Sequence, residues 1–542
     1  MSGRWPTISG SPVSEELRRR WRQAGYWTDE RLGDLLERSA TAWPDRVAVH
    51  TAEREHTFAE VQAESSAVAR TLLDAGIRPG DVVSWVLPTA PVAIAVAAAV
   101  WRIGAVSSPI VPINRVAEMT NIFGQVRPRA VIAVPEFRGR DLAGEVEAAL
   151  AAADVRNAVL LAAGDPPAGW RAVTESGPGS IPSGIEPTHP HEPCLILFTS
   201  GTESLPKAVL HSPAAIHHEL RTTITDWGVT FRDRMFMASP LTHITGLLQG
   251  FMIPSRVGAS AVLMERWDGE EAVDLIERTR ATYMAGAMPF LRDLVTAYEK
   301  SGLDRSSLHQ YCCGGAAVDP RFIEKAAELG VHAYRAWGMT ELPTSTLANE
   351  LDPLELRANA DGRLAPGIEL RVLDDDGTPV PPGTVGEFQL RGPEMMLGYV
   401  LPEHHEKAFT RDGWLTTGDV GWIGEDGWVR VTGRLKEIIN RGGEKFSTRE
   451  IETTVLRHPD VADVAVIGVP DERLGERIGA AVVTSRPDLG LDDLKRIVLA
   501  TGLSKSKQPE VVVTVPELPR TATGKVDRRR LLELFDQGSG QH

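Results

Sequence analysis

Cysteine is almost absent from this chain. Three cysteines in 542 residues, two of them adjacent as Cys312 and Cys313, make no disulfide framework, and a reducing cytoplasm suits them. Long apolar runs are missing too. The most apolar stretch, PVAIAVAAAVW from Pro91 to Trp101, is far shorter than a bilayer span, ends at Arg102 and reads as a buried helix. Positive charge is in deficit: 58 Lys and Arg against 73 Asp and Glu give −15, which argues against a surface that coats nucleic acid. A local basic site for an anionic cofactor remains compatible with that balance. Aromatics are few, and there is neither a fixed-period repeat nor a low-complexity block. No secretory signal is expected from the opening, where Met1 to Gly10 is polar and Ser14 to Gln23 is a charged, Arg-rich, helix-like segment.

What is present is α/β rhythm. The length exceeds one core and suggests about three domains. Helical patterns at Leu32–Trp43 and Phe58–Ala75 alternate with strands at Val47–Val49, Val82–Leu87, Arg129–Val134 and Ala158–Leu161, which points to a parallel, doubly wound sheet. A second series follows: helix Ala214–Thr223, strand Ala261–Leu263, helix Glu270–Thr279, strand Ala281–Ala285, helix Pro289–Lys300, then the strand ending at Cys312-Cys313. From Gly362, dense Asp-Gly and Pro-Gly punctuation reads as antiparallel sheet. Past Gly433-Arg434 a small self-contained α/β pattern begins, with strand Glu437–Asn440, helix Arg449–Arg457, a bent strand pair over Val461–Val469, strand Gly479–Thr484 and helix Leu491–Thr501.

The most informative stretch is LILFTSGTESLPKAVLHS, Leu195 to Ser212. A buried strand runs into Thr199, Ser200, Gly201, Thr202, Glu203 and Ser204, then Pro206-Lys207. Hydroxyls, backbone N–H groups freed by a Gly turn and one Lys together suit a polyphosphate. It is not a Walker A loop: Pro206 and Ala208 replace the Gly and the Ser or Thr that flank the Lys there, and Pro206 disfavours helix at Leu205. His189, His191 and Cys194 precede it in a Pro-broken approach and read as loop residues, because no second ligand pair has zinc spacing.

Further along lie SPLTHITGLLQG around His243, the Gly pair of GGAA at Gly314-Gly315, AWGMTE, TTGD, GRLKE, RGGEKFSTREIE and PRTATGK. None decides alone. In this order and spacing they closely resemble the adenylate-forming superfamily of acyl-CoA synthetases, luciferases and adenylation domains, across nearly the whole chain. The runs PLTHITGLLQG, DERLGER and RRWRQAGYW look most similar to short- and medium-chain or alicyclic acyl-CoA ligases.

The resemblance implies a large N-terminal domain, residues 1–435, of two doubly wound sheets plus a small β-barrel-like subdomain, and a small mobile α+β C-terminal domain, residues 436–542. It implies ATP, Mg²⁺ and CoA as cofactors, and a small or medium apolar carboxylic acid as substrate. The acid is converted to acyl-AMP with release of pyrophosphate and then passed to the CoA thiol. An adenylating ligase that passes the acyl group to an amine or a carrier-protein thiol is the alternative. A non-catalytic acyl- or nucleotide-binding protein is a third reading, against which Lys525, Glu341 and Asp419 weigh. No nucleic acid or membrane span is expected, and the assembly is a monomer or homodimer.

By the same resemblance, Thr199, Ser200, Gly201, Thr202 and Lys207 would hold the β- and γ-phosphates. Glu341 with Thr199 would position Mg²⁺, and Thr340 would touch the α-phosphate. Asp419 would accept the ribose hydroxyls, with Arg434 in support. Gly315, Ala316 and Trp337 would border adenine or the acyl chain, and Leu248, Gly314, Gly338 and Met339 would line the acyl pocket. Lys525 would bring the mobile catalytic cation. Lys436 would be the hinge whose rotation exchanges Lys525 for the Arg441-Gly442-Gly443 loop, and His243 would line the acyl or thiol approach. Departures from the pattern are Glu203-Ser204 in place of Thr-Gly, Ala208 in place of Gly, Ile244 after His243, and Ser506-Lys507-Gln508-Pro509 in the tail. Weaker ATP binding at most is expected from the first of these.

Overall fold

The computed structural model describes residues 12–177, 179, 188–199, 206–314, 318–441, 444–471, 473–486, 488–501, 503–520 and 526–538. Ser200, Gly201, Thr202, Glu203, Ser204, Gly315, Ala316, Gly442, Gly443 and Lys525 lie outside them.

The helix-strand alternation builds two large sheets. One has seven strands in the order His332–Arg335, Gln310–Cys313, Tyr283–Gly286, Arg234–Met237, Ser260–Leu263, Val47–His50 and Glu55–Thr57. All its pairings are parallel except the last, a hairpin. The other has eight strands, in the order Gly398–Tyr399, Lys207–His211, Leu195–Thr199, Val106–Pro109, Val82–Val86, Ala130–Ala133, Val159–Ala162 and Arg171–Ala172. Here the first two pairings are antiparallel and the rest parallel. The antiparallel edge, unforeseen in the sequence, follows from chain length. Too few residues separate Thr199 from Lys207 for a parallel crossover, so the chain must turn back on itself.

The helix Pro91–Arg102 is buried from Ala93 to Trp101, as its composition predicts. Trp101 ties it across the core: the indole N–H donates to Cys194 O at 2.9 Å, and the ring stacks on Phe251 at 5.8 Å. The region after Gly362 forms a four-stranded antiparallel sheet of Glu369–Leu373, Gly386–Arg391, Leu415–Ile423 and Val429–Arg434. Its Phe388 packs on Trp337, so this sheet shares a core with the larger ones.

The C-terminal unit has a five-stranded sheet and its own apolar core around Ile451, Val466 and Val482. One expectation fails there. Val461–Asp471 is a single strand, irregular only between Val461 and Asp463, and not a bent pair. It pairs on one side only, with Gly475–Thr484, and such an edge position tolerates Pro470.

Candidate active site

The polyphosphate stretch stands on a hairpin. Thr199 and Lys207 are direct cross-strand partners, the last pair before the connecting residues. Gln125, from the helix Val116–Val126, brackets Lys207: its Nε2 donates to Pro206 O at 2.7 Å, and its Oε1 accepts from Ala208 N at 3.3 Å. The Lys is therefore placed by strand register and by one buttressing amide. Its Nζ lies 5.6 Å from the centre of the Tyr399 ring, a cation–π arrangement.

Tyr399 connects this hairpin to the loop after Trp337. Its hydroxyl donates to Glu341 Oε1. Burial and the Glu341 charge push the phenol well above its ordinary range, so it remains a donor. Met396 N donates to Glu341 O at 2.9 Å, and the neutral His211 donates through Nε2 to Thr340 O at 2.8 Å. Burial lowers His211 to about 4, which keeps the imidazole neutral. Within the loop, Met339 and Leu342 pair back to back. Gly338 is obligatory, because a Cβ there would lie 1.9 Å from Pro343 O. Thr340 and Glu341 thus project from a turn clamped at both backbone carbonyls.

Asp419 forms the third corner. It is 1% exposed, with Oδ2 accepting from Trp337 Nε1 at 2.8 Å and Oδ1 from Arg434 Nε at 2.8 Å. Asp419 and Arg434 are register partners on adjacent strands. The Asp419 charge raises the Arg434 guanidinium above its usual value, and the Glu341 charge adds to the effect. Each carboxylate oxygen keeps a further lone pair for a hydroxyl. Trp337 is 8% exposed and holds Asp419 in place, which is a more specific task than bordering a ring.

His243 is half-buried and precedes the short helix Ile244–Leu247. Leu248 opens a π-helical turn, Leu248–Met252, before α-helix resumes at Ile253–Val257. The inserted residue sits beside two close approaches: a Cβ on Gly246 would meet Pro240 O, and one on Gly250 would meet Leu241. Such π-turns concentrate at functional sites. Gly314 follows its strand at the same end of the sheet as Trp337, where a Cβ would lie 3.1 Å from Ala336 O.

Residues 36–400 match the family described as "AMP-binding enzyme", and residues 450–525 match "AMP-binding enzyme C-terminal domain". The chain belongs to the AMP-binding enzyme family. It is 33% identical to a medium-chain fatty-acid–CoA ligase of Escherichia coli (strain K12), over 95% of this chain and 92% of that protein. Among solved structures it resembles ATP-bound MatB from Rhodopseudomonas palustris, with TM-score 0.81 and 26% identity, over 93% of this chain and 99% of the other. It resembles the amide bond synthetase McbA from Marinactinospora thermotolerans similarly, with TM-score 0.81 and 29% identity, over 93% and 99%.

In this AMP-binding enzyme the stretch between the two matched regions carries Asp419, Arg434, Lys436 and Arg441. Lys436 is exposed in the 3₁₀ turn Leu435–Glu437, which joins the last strand of the four-stranded sheet to Ile438–Arg441 of the C-terminal sheet. Arg441 is not gathered with the three corners. It makes a two-pronged pair with Glu510, Nε to Oε2 at 2.7 Å and Nη2 to Oε1 at 2.8 Å. No helix among the described residues is long and apolar enough to cross a membrane. The Cys194 thiol donates to His211 O at 3.4 Å, and His191 stacks on Trp27 at 4.7 Å, so each has its own structural partner.

Sequence reasoning missed Tyr399, His211 and Asp361. Asp361 is 3% exposed; Oδ1 accepts from Arg335 Nε at 3.0 Å and from Arg449 Nη2 at 3.1 Å, and Oδ2 accepts from Val431 N at 2.8 Å. Burial pushes its carboxyl up, but Arg335 and Arg449 outweigh burial and hold it below the usual value. Arg449 lies on the helix Thr448–Leu456, so Asp361 fastens the C-terminal unit to the rest of the enzyme.

Proposed function

We propose that the chain is an acyl-CoA synthetase that activates a small or medium apolar carboxylic acid with ATP and transfers the acyl group to the CoA thiol. The observation that carries this reading is the convergence of three corners on one site: Lys207 with Thr199, the clamped Thr340-Glu341 turn, and Asp419 with Arg434. In adenylation a carboxylate attacks a polyphosphate, so two anions must be brought together and the pentacoordinate transition state stabilised. Lys207 supplies fixed positive charge at the β- and γ-phosphates, Thr340 a hydroxyl at the α-phosphate, and Asp419 acceptors for the ribose.

A magnesium ion fits the donor set. Glu341 offers a hard carboxylate already oriented by Tyr399, and Thr199 offers a hydroxyl. Among the described residues there is no cluster of three or more His, Cys, Asp or Glu, and magnesium bound with nucleotides typically takes only one or two carboxylates from the protein. When bound, the ion neutralises phosphate charge.

In this reading Lys436 is the hinge, dividing residues 1–435 from 436–542. Lys525 is the cation of the first half-reaction, and the Gly442-Gly443 loop forms the thiol channel of the second. His243 and Leu248 line the acyl approach with Gly314, Gly338 and Met339, and the π-turn shapes it. Gly315 and Ala316 border the adenine. Three buried free thiols accord with a reducing, cytoplasmic location. Acid-dependent exchange of pyrophosphate into ATP, followed by a CoA thioester on adding CoA, is the expected outcome. Exchange without thioester would remove CoA from the account. The Lys525→Ala variant should lose adenylation by orders of magnitude and retain thioester formation from supplied acyl-AMP.

An amine acceptor is the second reading. The pairing of Arg441 with Glu510 favours it, because the cation beside the acceptor channel is already neutralised. Amide formation without CoA, detected by mass spectrometry, selects this reading.

A further inference from the structure

The helix Pro402–Ala408 begins three residues after Tyr399 and has no part in the adenylation site as described so far. Its His404 ring meets the Tyr399 ring edge-on, 6.0 Å between centres. Lys207 engages the same ring at 5.6 Å, and the Tyr399 hydroxyl is committed to Glu341. One aromatic ring thus spaces three groups: the phosphate-site lysine, the candidate magnesium carboxylate and a histidine. The His404 Nδ1 has no hydrogen-bond partner among the described residues, and the side chain as a whole is only partly buried. Burial lowers the imidazole from its ordinary value, and the charges of Lys207 and Lys407 add to that effect against Glu403. Lys207 and His404 thus lie against the same ring. On a chain of net charge −15, Lys207 and Lys407 set positive charge around the neutral His404 ring, on the Tyr399 side of the Thr199–Lys207 rung.

We propose that His404 is a ligand of the pyrophosphate leaving group, donating a hydrogen bond to it beside Lys207. The assignment rests on the adenylation reading. In that step the substrate carboxylate oxygen bonds to the α-phosphorus and the bond from the α-phosphorus to the bridging oxygen breaks. The electron pair remains on the departing pyrophosphate, and no proton is transferred. Negative charge therefore grows on the group that Lys207 faces. A neutral imidazole N–H adds a donor there without repelling Lys207 before the nucleotide arrives. Release follows when the pyrophosphate leaves this cradle.

The test compares wild type, His404→Ala and His404→Gln in pyrophosphate exchange, varying pyrophosphate, ATP and acid separately. Hydrogen bonds to charged groups of this kind predict that His404→Ala raises KM for pyrophosphate about tenfold. The acid KM and thioester formation from supplied acyl-AMP should stay unchanged, and His404→Gln, which keeps a donor, should recover most of the loss. A rise confined to ATP would assign His404 to nucleotide entry and overturn the leaving-group assignment. KM values for pyrophosphate within twofold of wild type in both variants, with exchange intact and thermal melting unchanged, would overturn it too. Absence of exchange in the wild type would fail the adenylation reading itself, an outcome distinct from the failure of His404 alone.

Discussion

Replacing Tyr399 with Phe removes one hydroxyl and leaves the ring. The hydroxyl donates to Glu341, and a hydrogen bond to a carboxylate contributes about 1.5–3 kcal/mol. Since about 1.4 kcal/mol is a factor of ten, the loss should lie between roughly tenfold and 150-fold if all of it reaches the transition state. Glu341 is only partly buried, so water can take the vacated place, and the lower end, about tenfold, is expected. The ring contacts to Lys207 at 5.6 Å and His404 at 6.0 Å survive the change, which isolates the Glu341 effect. The assay is pyrophosphate exchange titrated with magnesium, alongside thioester formation from supplied acyl-AMP. Exchange should fall, with the magnesium midpoint moved upward, while thioester formation is unaffected. An unchanged midpoint and rate, or equal loss in both half-reactions, would refute the reasoning.

Asp419→Asn keeps the shape but removes the charge facing Arg434, and should raise the ATP KM about tenfold while the acid KM holds, as measured by initial rates. Arg449→Ala takes one charged donor from Asp361 while Arg335 keeps that carboxylate paired. The docked arrangement should weaken by about 1–3 kcal/mol, altering the ratio of the two half-reaction rates several-fold; an unaltered ratio in stopped-flow assays would count against it. Burial lowers His211, His217 and His218 from 6.5 to about 4. Below 6.5 the unfolded chain takes up protons that the native state refuses, so stability falls as pH drops from 6.5 toward 4, at most about 1.4 kcal/mol per pH unit for each group. Urea unfolding at pH 7.5, 6 and 5 reads this directly, and a flat profile would contradict the buried neutral state.

Local pattern made most of the scaffold legible. Strand and helix periods located both large sheets, and turn punctuation after Gly362 announced the antiparallel one. The motif residues also came together: Lys207, Glu341, Asp419 and Arg434 were all singled out from their stretches. What escaped is the set of groups that hold them. Tyr399 reaches Glu341 across 58 residues and His211 reaches Thr340 across 129, and no local rule links such positions. The π-turn at Leu248 escaped for a different reason. PLTHITGLLQG carries no local mark of an inserted residue, and that residue sits where Gly246 and Gly250 lie close to Pro240 and Leu241, a tertiary circumstance.

The hairpin under the phosphate stretch has a consequence for which changes the enzyme tolerates. Thr199 and Lys207 are fixed posts, set by their cross-strand rung, with Gln125 holding the backbone on either side of Lys207. Exchange of Glu203-Ser204 for other small polar residues should therefore be forgiven. Deleting a single residue inside Lys207–His211 should not be, because side chains alternate between the two faces of a strand. Such a shift would turn the lysine's post toward the opposite face and leave the anion without Lys207.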